Sequence, residues 1–557
     1  MRNKTIYQKV METFTLERAA RIFCCNVPVV LCAMLLITPE LMAQESDSES
    51  KKVTRVFFLA GQSNMVGHGV VDLDDPKDYN SGKGTLVNLM QSPKKKQQFA
   101  HLKNKSGKWI VRDDAFIWFQ TKDELKTGGV SIGFSGYEGS HHFGPEMQFG
   151  HVVGEAFDEP VLIIKTAWGG KSLYKDFRPP SSGGEVGPFY VRMLEQIATA
   201  LDKSKEKFPS LKDTEMVLSG FVWQQGWNDM IDDAATGEYE KNLVNFISDI
   251  RKQFDTPELP FVFGELGNGG GNASEKMRRF RAAQAAVAKH DDPLVTFVET
   301  AEFARQPDDS PNKGHGHHWF GNAESYFLVG DALGHAMVRQ VRGDANKPRV
   351  LILGDSISIG YTPFVQKEMA EEAFVIRPMR RNPKNKRMSH ENCAGTDHGI
   401  KSVDRWLRLD GGDWDLIHYN FGLHDLKHVD GKTQRNSNKA SDPLQSSPEE
   451  YEKQLREIVT KLKATRAKLI CCTTTPVPEG CKPLRETTAP EVYNKIAKKI
   501  AAEFGAEVND LYAFANPQLK KIQRSADVHF TREGSEVLAG KVTEVIRAAL
   551  RELEKTQ

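Results

Sequence analysis

The chain has 557 residues, and 75 Lys and Arg stand against 74 Asp and Glu for a formal charge of +1. That balance gives the whole chain no electrostatic bias toward nucleic acid. With 39% apolar and 27% charged residues the composition is that of a soluble globular protein with a core, and the length calls for more than one domain.

The first 43 residues read as a secretory signal. Arg18 and Arg21 precede an apolar run, Val27 to Ile37, and Leu41-Met42-Ala43 resembles a small-residue cleavage site. The run is shorter than the roughly 20 residues a membrane span needs, so no span is expected once the signal is removed, and the mature protein is expected to be periplasmic or secreted. Residues 44–52 are polar and read as a disordered linker. Four cysteines remain beyond the signal, Cys393, Cys471, Cys472 and Cys481. A bridge from Cys481 to Cys471 or Cys472 is open to an exported protein, but no framework spacing is present and buried free thiols are the preferred reading.

From Val53 the pattern changes. Val56 to Ala60 is a short apolar run ending on Gly61, as in a buried strand of a parallel sheet, and Ser63 follows two residues later. A serine on a tight turn at the carboxyl end of a strand occupies the place of an activated nucleophile, although serine also caps helices. The arrangement recurs at Arg349 to Gly354, followed by Asp355-Ser356-Ile357.

Each copy opens a stretch of alternating elements. In residues 53–343 strands are expected at Val161–Thr166, Met216–Trp223, Pro260–Gly264 and Val295–Val298, with helices at Tyr239–Phe254 and Glu275–Lys289. Long polar loops, 91–108 and 127–144, interrupt them and are placed to wall a cleft. After a link at 344–348 the alternation restarts in residues 349–557: strands at Arg349–Leu353, Val375-Ile376, Trp414–Asn420, Ala467–Thr473 and Glu507-Val508, helices at Pro448–Thr465, Ala489–Phe504 and Arg532–Leu550. Such alternation predicts two three-layer α/β/α domains in tandem. Lys94–Lys96 and Arg377–Arg387 read as basic loops, most simply solvated surface, with an anionic polysaccharide as the sharper partner. They lack the stacking aromatics of a nucleic-acid site.

Acyl transfer by serine needs a base for its proton and donors for the oxyanion. In the first domain Ala167-Trp168-Gly169-Gly170 offers backbone N–H groups and Gln224-Gln225-Gly226-Trp227-Asn228-Asp229 offers side-chain amides. His315-Gly316-His317-His318-Trp319 supplies imidazoles before the last helix. No cofactor is called for, and no Asp/Glu/His set at metal-ligand spacing accompanies the histidines.

These blocks resemble the sialate O-acetylesterase-like branch of the SGNH hydrolases, which is also similar to plant and bacterial carbohydrate acetylesterases. The resemblance spans residues 53 to 343 and implies a flavodoxin-like fold, Ser63 as nucleophile, Gly170 in the oxyanion hole, an amide from Gln225 or Asn228, and His318 as base. The family places Asp three residues before the base. Position 315 is His, which leaves Asp308, Asp309, Glu299 or Glu324 to orient His318, or a dyad.

The second domain resembles GDSL-like esterases of the same superfamily. The resemblance implies Ser356 as nucleophile, Gly395 of Asn392-Cys393-Ala394-Gly395-Thr396 as a donor, and His529 as base. His424 of Gly422-Leu423-His424-Asp425 stands where asparagine is expected. Asp527 is a candidate catalytic residue of the same base block, two residues before His529 and not three; with strand alternation that offset changes which way the carboxylate can face.

Together these readings predict an exported serine esterase that removes O-acetyl groups from carbohydrate. Its alternatives are a carbohydrate-binding protein with one or both sites degenerate, and a lipid or thioester esterase. Trp168, Trp223, Trp227 and Trp319 read as sugar-stacking platforms or as core. Because the first domain keeps an amide in its oxyanion block, it is expected to carry most of the deacetylation.

Overall fold

The structure is a computed structural model and describes residues 52–73, 79–381 and 388–555. The expected signal, the linker apart from Lys52, and residues 382–387 of the second basic run lie outside the described residues.

The sheet of the first unit is built on β1 (Val53–Gly61), whose burial is continuous from Val56 onward. Six further strands join it: β2 (Ala115–Gln120), β3 (Leu125–Gly129), β4 (Val161–Ala167), β5 (Glu215–Gln224), β6 (Phe261–Gly264) and β7 (Val295–Val298). Their order is β3-β2-β4-β1-β5-β6-β7. All pairs are parallel except β2 with β3. Along β1 alternate residues face opposite layers. Val56, Phe58 and Ala60 join the core under the helices Pro188–Lys207 and Asp233–Gln253. Phe57 meets Phe149 and Phe157 on the other face. A strand buried on both faces reads as an unbroken apolar run, which is why β1 was legible. The hairpin β2–β3 was not anticipated: β3 is an edge strand held by backbone pairing with little burial, so it leaves no apolar pattern.

The second unit has five parallel strands, β8 (Arg349–Leu353), β9 (Phe374–Ile376), β10 (Leu416–Tyr419), β11 (Lys468–Cys472) and β12 (Glu507–Asn509), in the order β9-β8-β10-β11-β12. This is the doubly wound 2-1-3-4-5 order. The first unit repeats it as β4-β1-β5-β6-β7, with the β2–β3 hairpin added beyond β4. Helices Ser356–Glu368 and Arg532–Glu554 pack together as one layer, and Thr396–Trp406, Pro448–Ala464 and Ala489–Phe504 pack in series as the other.

The units divide at 337/338, inside the helix Ala323–Arg342, and not at the expected link 344–348. The last turn of that helix belongs to the second unit, where Arg339 and Arg349 both donate to the Asp410 carboxylate. Residues 90–101 also group with the second unit, so only part of the 91–108 loop stays with the first. Among the described residues Cys393, Cys471, Cys472 and Cys481 are buried and free, with no bridge. No helix of the described residues is long and apolar enough to cross a membrane.

Gly61 makes the exit turn of the first strand. It pairs with Ala167 on one side and Gln224 on the other. Its φ is +153°, and a Cβ there would stand 2.1 Å from the Gln224 carbonyl oxygen. Gly61→Ala is therefore expected to lower the stability of the first unit by about 2–4 kcal/mol. Gly183→Ala, at φ +73° but in open space, should cost about 1 kcal/mol. Urea midpoints of the two variants check the contrast.

Candidate active sites

In the second unit Ser356 opens the helix that follows β8, and the preceding Asp355 caps that helix by accepting from the Ile357 N–H at 2.9 Å. Ser356 Oγ lies 2.9 Å from His529 Nε2, and His529 Nδ1 lies 2.7 Å from Asp527 Oδ1. Asp527 Oδ1 also accepts from the His529 backbone N–H at 3.0 Å. Residues 527–529 form a bend, entered through Ala526 at φ +51°, and not a strand. Strand alternation therefore does not set the direction of Asp527: the bend folds its carboxylate back onto the imidazole two residues ahead. Burial alone would raise the Asp527 carboxyl, but the hydrogen bonds from His529 hold it below its ordinary value.

Gly395 stands at the N-cap of the helix Thr396–Trp406, after Ala394 at φ +52°. That loop is anchored by Asp425, which accepts from Thr396 N at 2.8 Å and from Thr396 Oγ1 at 2.5 Å. Burial pushes the Asp425 carboxyl up to about 6. His424, in the asparagine position, is held down to about 3 by burial and by nearby Lys427 and Arg485. It is a neutral ring with one N–H to donate. Arg377 corrects the basic-loop reading. It is 2% exposed and donates to the carbonyls of Gly354 and Glu391 and to the hydroxyls of Ser358 and Thr362, so it fastens the turn that carries Ser356.

In the first unit Ser63 starts the short helix Ser63–Val66 directly after β1. First-turn N–H groups of a helix have no intrahelical acceptor, so the serine's own amide is free to face an oxyanion. A Cβ on Gly169 would sit 3.9 Å from that of Ser63, and Gly170 follows at φ +68° with open space around it. Gln62 joins this turn to the amide block. Its Oε1 accepts from Gly226 N at 3.1 Å and Asn228 N at 3.4 Å, and its Nε2 donates to Asn228 Oδ1 at 3.2 Å. The Asn228 amide nitrogen has no acceptor among the described residues. Gln225 is different: its Nε2 donates to Lys171 O at 2.9 Å and to Asp229 Oδ2 at 2.5 Å. Both its hydrogens are engaged inside the protein, so Gln225 is a brace and Asn228 is the available donor. Asp229 accepts from Leu173 N and Tyr174 N, both at 2.9 Å, as Asp425 does in the other unit. Burial again pushes its carboxyl up, to about 6.

His318 has no carboxylate on its ring among the described residues. Asp308 pairs with Lys313 and Glu324 with Arg305, and neither Asp309 nor Glu299 reaches it. Its backbone is fixed instead: Asn64 Nδ2 donates to His317 O at 3.2 Å, and Tyr326 O–H donates to His318 O at 3.2 Å and to Asn64 Oδ1 at 2.7 Å. Trp319 and Phe320 follow at φ +51° and +55°. Burial and the neighbouring His317 and His315 bring His318 down to about 4. Its ring lies face to face with that of His68.

Beneath Ser63 lies a buried ion pair. Lys165 of β4 and Glu146 are both 0% exposed, and Lys165 Nζ donates to Glu146 Oε2 at 2.8 Å, Phe134 O at 2.7 Å and Val66 O at 3.0 Å. The sugar-stacking reading of the tryptophans is corrected: Trp168, Trp223 and Trp319 are buried, the first two in the main core. Only Trp227 is partly exposed, with its ring 5.7 Å from that of His317. Sequence reasoning missed His68, Tyr137, Lys165 and Tyr326, and it assigned no role to Gln62 and Asn64, which flank Ser63 in the motif block; their partners lie elsewhere in the chain. Among the described residues no group of His, Cys, Asp and Glu is arranged to hold a metal ion.

A family model described as carbohydrate esterase, sialic acid-specific acetylesterase matches residues 53–339, and one described as GDSL-like lipase/acylhydrolase family matches residues 352–537. No curated protein matches the chain. Among solved structures, a protein from Arabidopsis thaliana is 17% identical, with 51% of this chain and 98% of that chain covered and a TM-score of 0.33. A carbohydrate acetylesterase from Xanthomonas citri is 15% identical, with 53% and 58% covered and a TM-score of 0.33. A lipase/acylhydrolase from Enterococcus faecalis is 19% identical, with 36% and 96% covered and a TM-score of 0.29.

The ion pair under Ser63 gives a stability test. Removing one partner of a buried pair leaves a charge without compensation and typically costs about 3–5 kcal/mol. Lys165→Met is expected to lose that much, and Lys165→Met with Glu146→Gln should recover part of it. Denaturant titration of the single and double variants measures both.

Proposed function

As a member of the carbohydrate esterase, sialic acid-specific acetylesterase family that also carries a GDSL-like lipase/acylhydrolase domain, the chain is a carboxylic ester hydrolase, and we propose that it is an exported serine esterase removing O-acetyl groups from carbohydrate through an acetyl-enzyme. The observation that carries the serine mechanism is the hydrogen-bonded series Ser356 Oγ, His529, Asp527. In it His529 Nε2 takes the serine proton as Oγ attacks the acetyl carbonyl, while Asp527 holds the Nδ1–H tautomer and faces the imidazolium that forms. The backbone N–H groups of Ser356 and Gly395 and the neutral His424 ring are the donors for the oxyanion. His529 then returns the proton to the sugar hydroxyl as it leaves. Water, deprotonated by the same base, attacks the acetyl-enzyme and releases acetate.

Ser63 and His318 repeat these roles with Gly170 and Asn228 as donors. This site lacks a carboxylate on the base, and that favours a slower centre here than at Ser356. Small, unencumbered acetyl esters are accordingly turned over mainly at Ser356, reversing the expectation that the retained amide alone would give the first domain most of the activity.

Acetate release from a chromogenic acetyl ester and from acetylated xylan and sialosides tests the reading. Ser356→Ala should remove most turnover of the small ester and Ser63→Ala a minor share. The double variant should fall by roughly 10⁴-fold or more. A serine-directed organophosphate should label Ser356 and, more slowly, Ser63. Turnover that survives in the double variant would refute the assignment.

The pH profile tests His318 separately. A general base must be neutral, and burial with its histidine neighbours lowers this one from 6.5 to about 4. Activity of the Ser356→Ala protein should therefore hold as pH falls through 6.5 and be lost only as pH drops through about 4. An acid limb near 6.5 would show that His318 is not the base.

A further inference from the structure

We propose that His68 is a positioning residue for the Ser63 site: its ring, stacked face to face on His318, holds the base in the orientation that a carboxylate gives His529 in the second unit. The inference rests on Ser63 and His318 being nucleophile and base.

The two imidazoles are 3.6 Å apart between centroids and inclined by 13°. His68 is itself held from the far side, with Nδ1 2.7 Å from the Tyr137 hydroxyl. The Tyr137 ring stacks in turn on His142, at 4.1 Å and 23°. Tyr137 belongs to the 127–144 loop. That loop is tied to the scaffold at Phe134 by Lys165, and at Gly133 and Tyr137 by Lys126 Nζ. A continuous run of contacts thus leads from the buried ion pair through Tyr137 and His68 to the face of the base. Among the described residues the other aromatic rings beside His318 are those of His317, at 4.1 Å between centroids, and His315, at 6.2 Å.

A stacked ring cannot accept the Nδ1 proton, so it does not replace the chemistry of an aspartate. It limits ring rotation, and it presents an aromatic face to the imidazolium that forms when His318 takes the Ser63 proton. That requires His68 to stay neutral, since two stacked imidazolium ions would repel. Burial and then His318, His142, His317 and His315 bring His68 down to about 2, which keeps it neutral.

The test is made in the full chain carrying Ser356→Ala, with a chromogenic acetyl ester as probe. His68→Ala should lower kcat by about 5–30-fold, the range of one cation–π contact, with KM within about two-fold. His68→Phe, which keeps an aromatic face but no ring nitrogen, should recover most of kcat. Tyr137→Phe should lower kcat a few-fold by freeing His68, and it keeps the test open if His68→Ala fails to fold. An unchanged kcat in His68→Ala or Tyr137→Phe, or a His68→Phe variant as impaired as His68→Ala, overturns the proposal. Failure of the underlying assignment looks different: the Ser356→Ala parent would then be inactive and leave Ser63 unlabelled by the organophosphate, or would keep its activity in the Ser63→Ala background.

Discussion

The first unit depends on the ion pair between Lys165 and Glu146. Both groups are fully buried, and a lone charge there would be strongly disfavoured. All three Lys165 donor hydrogens find acceptors: the Glu146 carboxylate, the Val66 carbonyl at the end of the nucleophile's helix, and the Phe134 carbonyl in the long loop. Glu146 in turn accepts from Gly144 N at 2.8 Å. One charge thus draws together the turn that presents Ser63 and the loop that presents Tyr137. The second unit meets the same demand from the same strand position. Arg377 directly follows β9, the counterpart of β4 in the 2-1-3-4-5 order, and its buried guanidinium accounts for the Gly354 and Glu391 carbonyls beside Ser356. In each sheet the strand next to the first supplies a cation that satisfies backbone carbonyls at an irregular turn, where no ladder can.

The glycine-bearing loops beside the two serines follow a shared rule as well. Asp229 and Asp425 each close the amide block of their unit and bind the glycine-bearing segment: Asp229 accepts from the Leu173 and Tyr174 N–H groups, Asp425 from the Thr396 N–H and hydroxyl. Both carboxyls are pushed up to about 6 by burial. The anchor is therefore a carboxylate in neutral solution that hydrogen bonds keep in place despite its desolvation. In the residue before each anchor the units differ, an asparagine-type amide at Asn228 against an imidazole at His424, and the anchor works alike for both.

What the sequence made legible follows from which contacts are local. The first strands and their serines could be read because a strand buried on both faces is an uninterrupted apolar run closed by glycine. Long amphipathic helices such as Ala489–Phe504 were legible for a similar reason. The β2–β3 hairpin was not, since β3 pairs through its backbone and buries little. Gln225 and Asn228 could not be separated from sequence, because their difference lies in whether Lys171 O and Asp229 take up the amide hydrogens. The tryptophans near the motifs were ambiguous for want of the core packing that absorbs three of them. Which way Asp527 faces could not be read from its spacing, because Ala526, at positive φ, turns the segment into a bend where strand alternation does not hold.

The two histidines proposed as bases are held by different means. His529 receives its acid from two residues away, and one oxygen of Asp527 accepts from both the backbone and the ring of His529. Orientation there is written into a single bend and forms as soon as that bend does. His318 is held by groups outside its own turn: Asn64 donates to the preceding His317 carbonyl, Tyr326 to the His318 carbonyl, and His68 covers the ring face. Each of those contacts requires a separately ordered element, and the last of them requires the 127–144 loop. A ring held this way is coupled to the 127–144 loop: whatever moves Tyr137 also moves His68, which lies on the face of His318. The second unit, with its acid inside the bend, lacks that coupling. On the proposed assignment, the absence of an aspartate three residues before His318 marks a change from a local to a distributed way of fixing the base, in the unit that matches a carbohydrate esterase family.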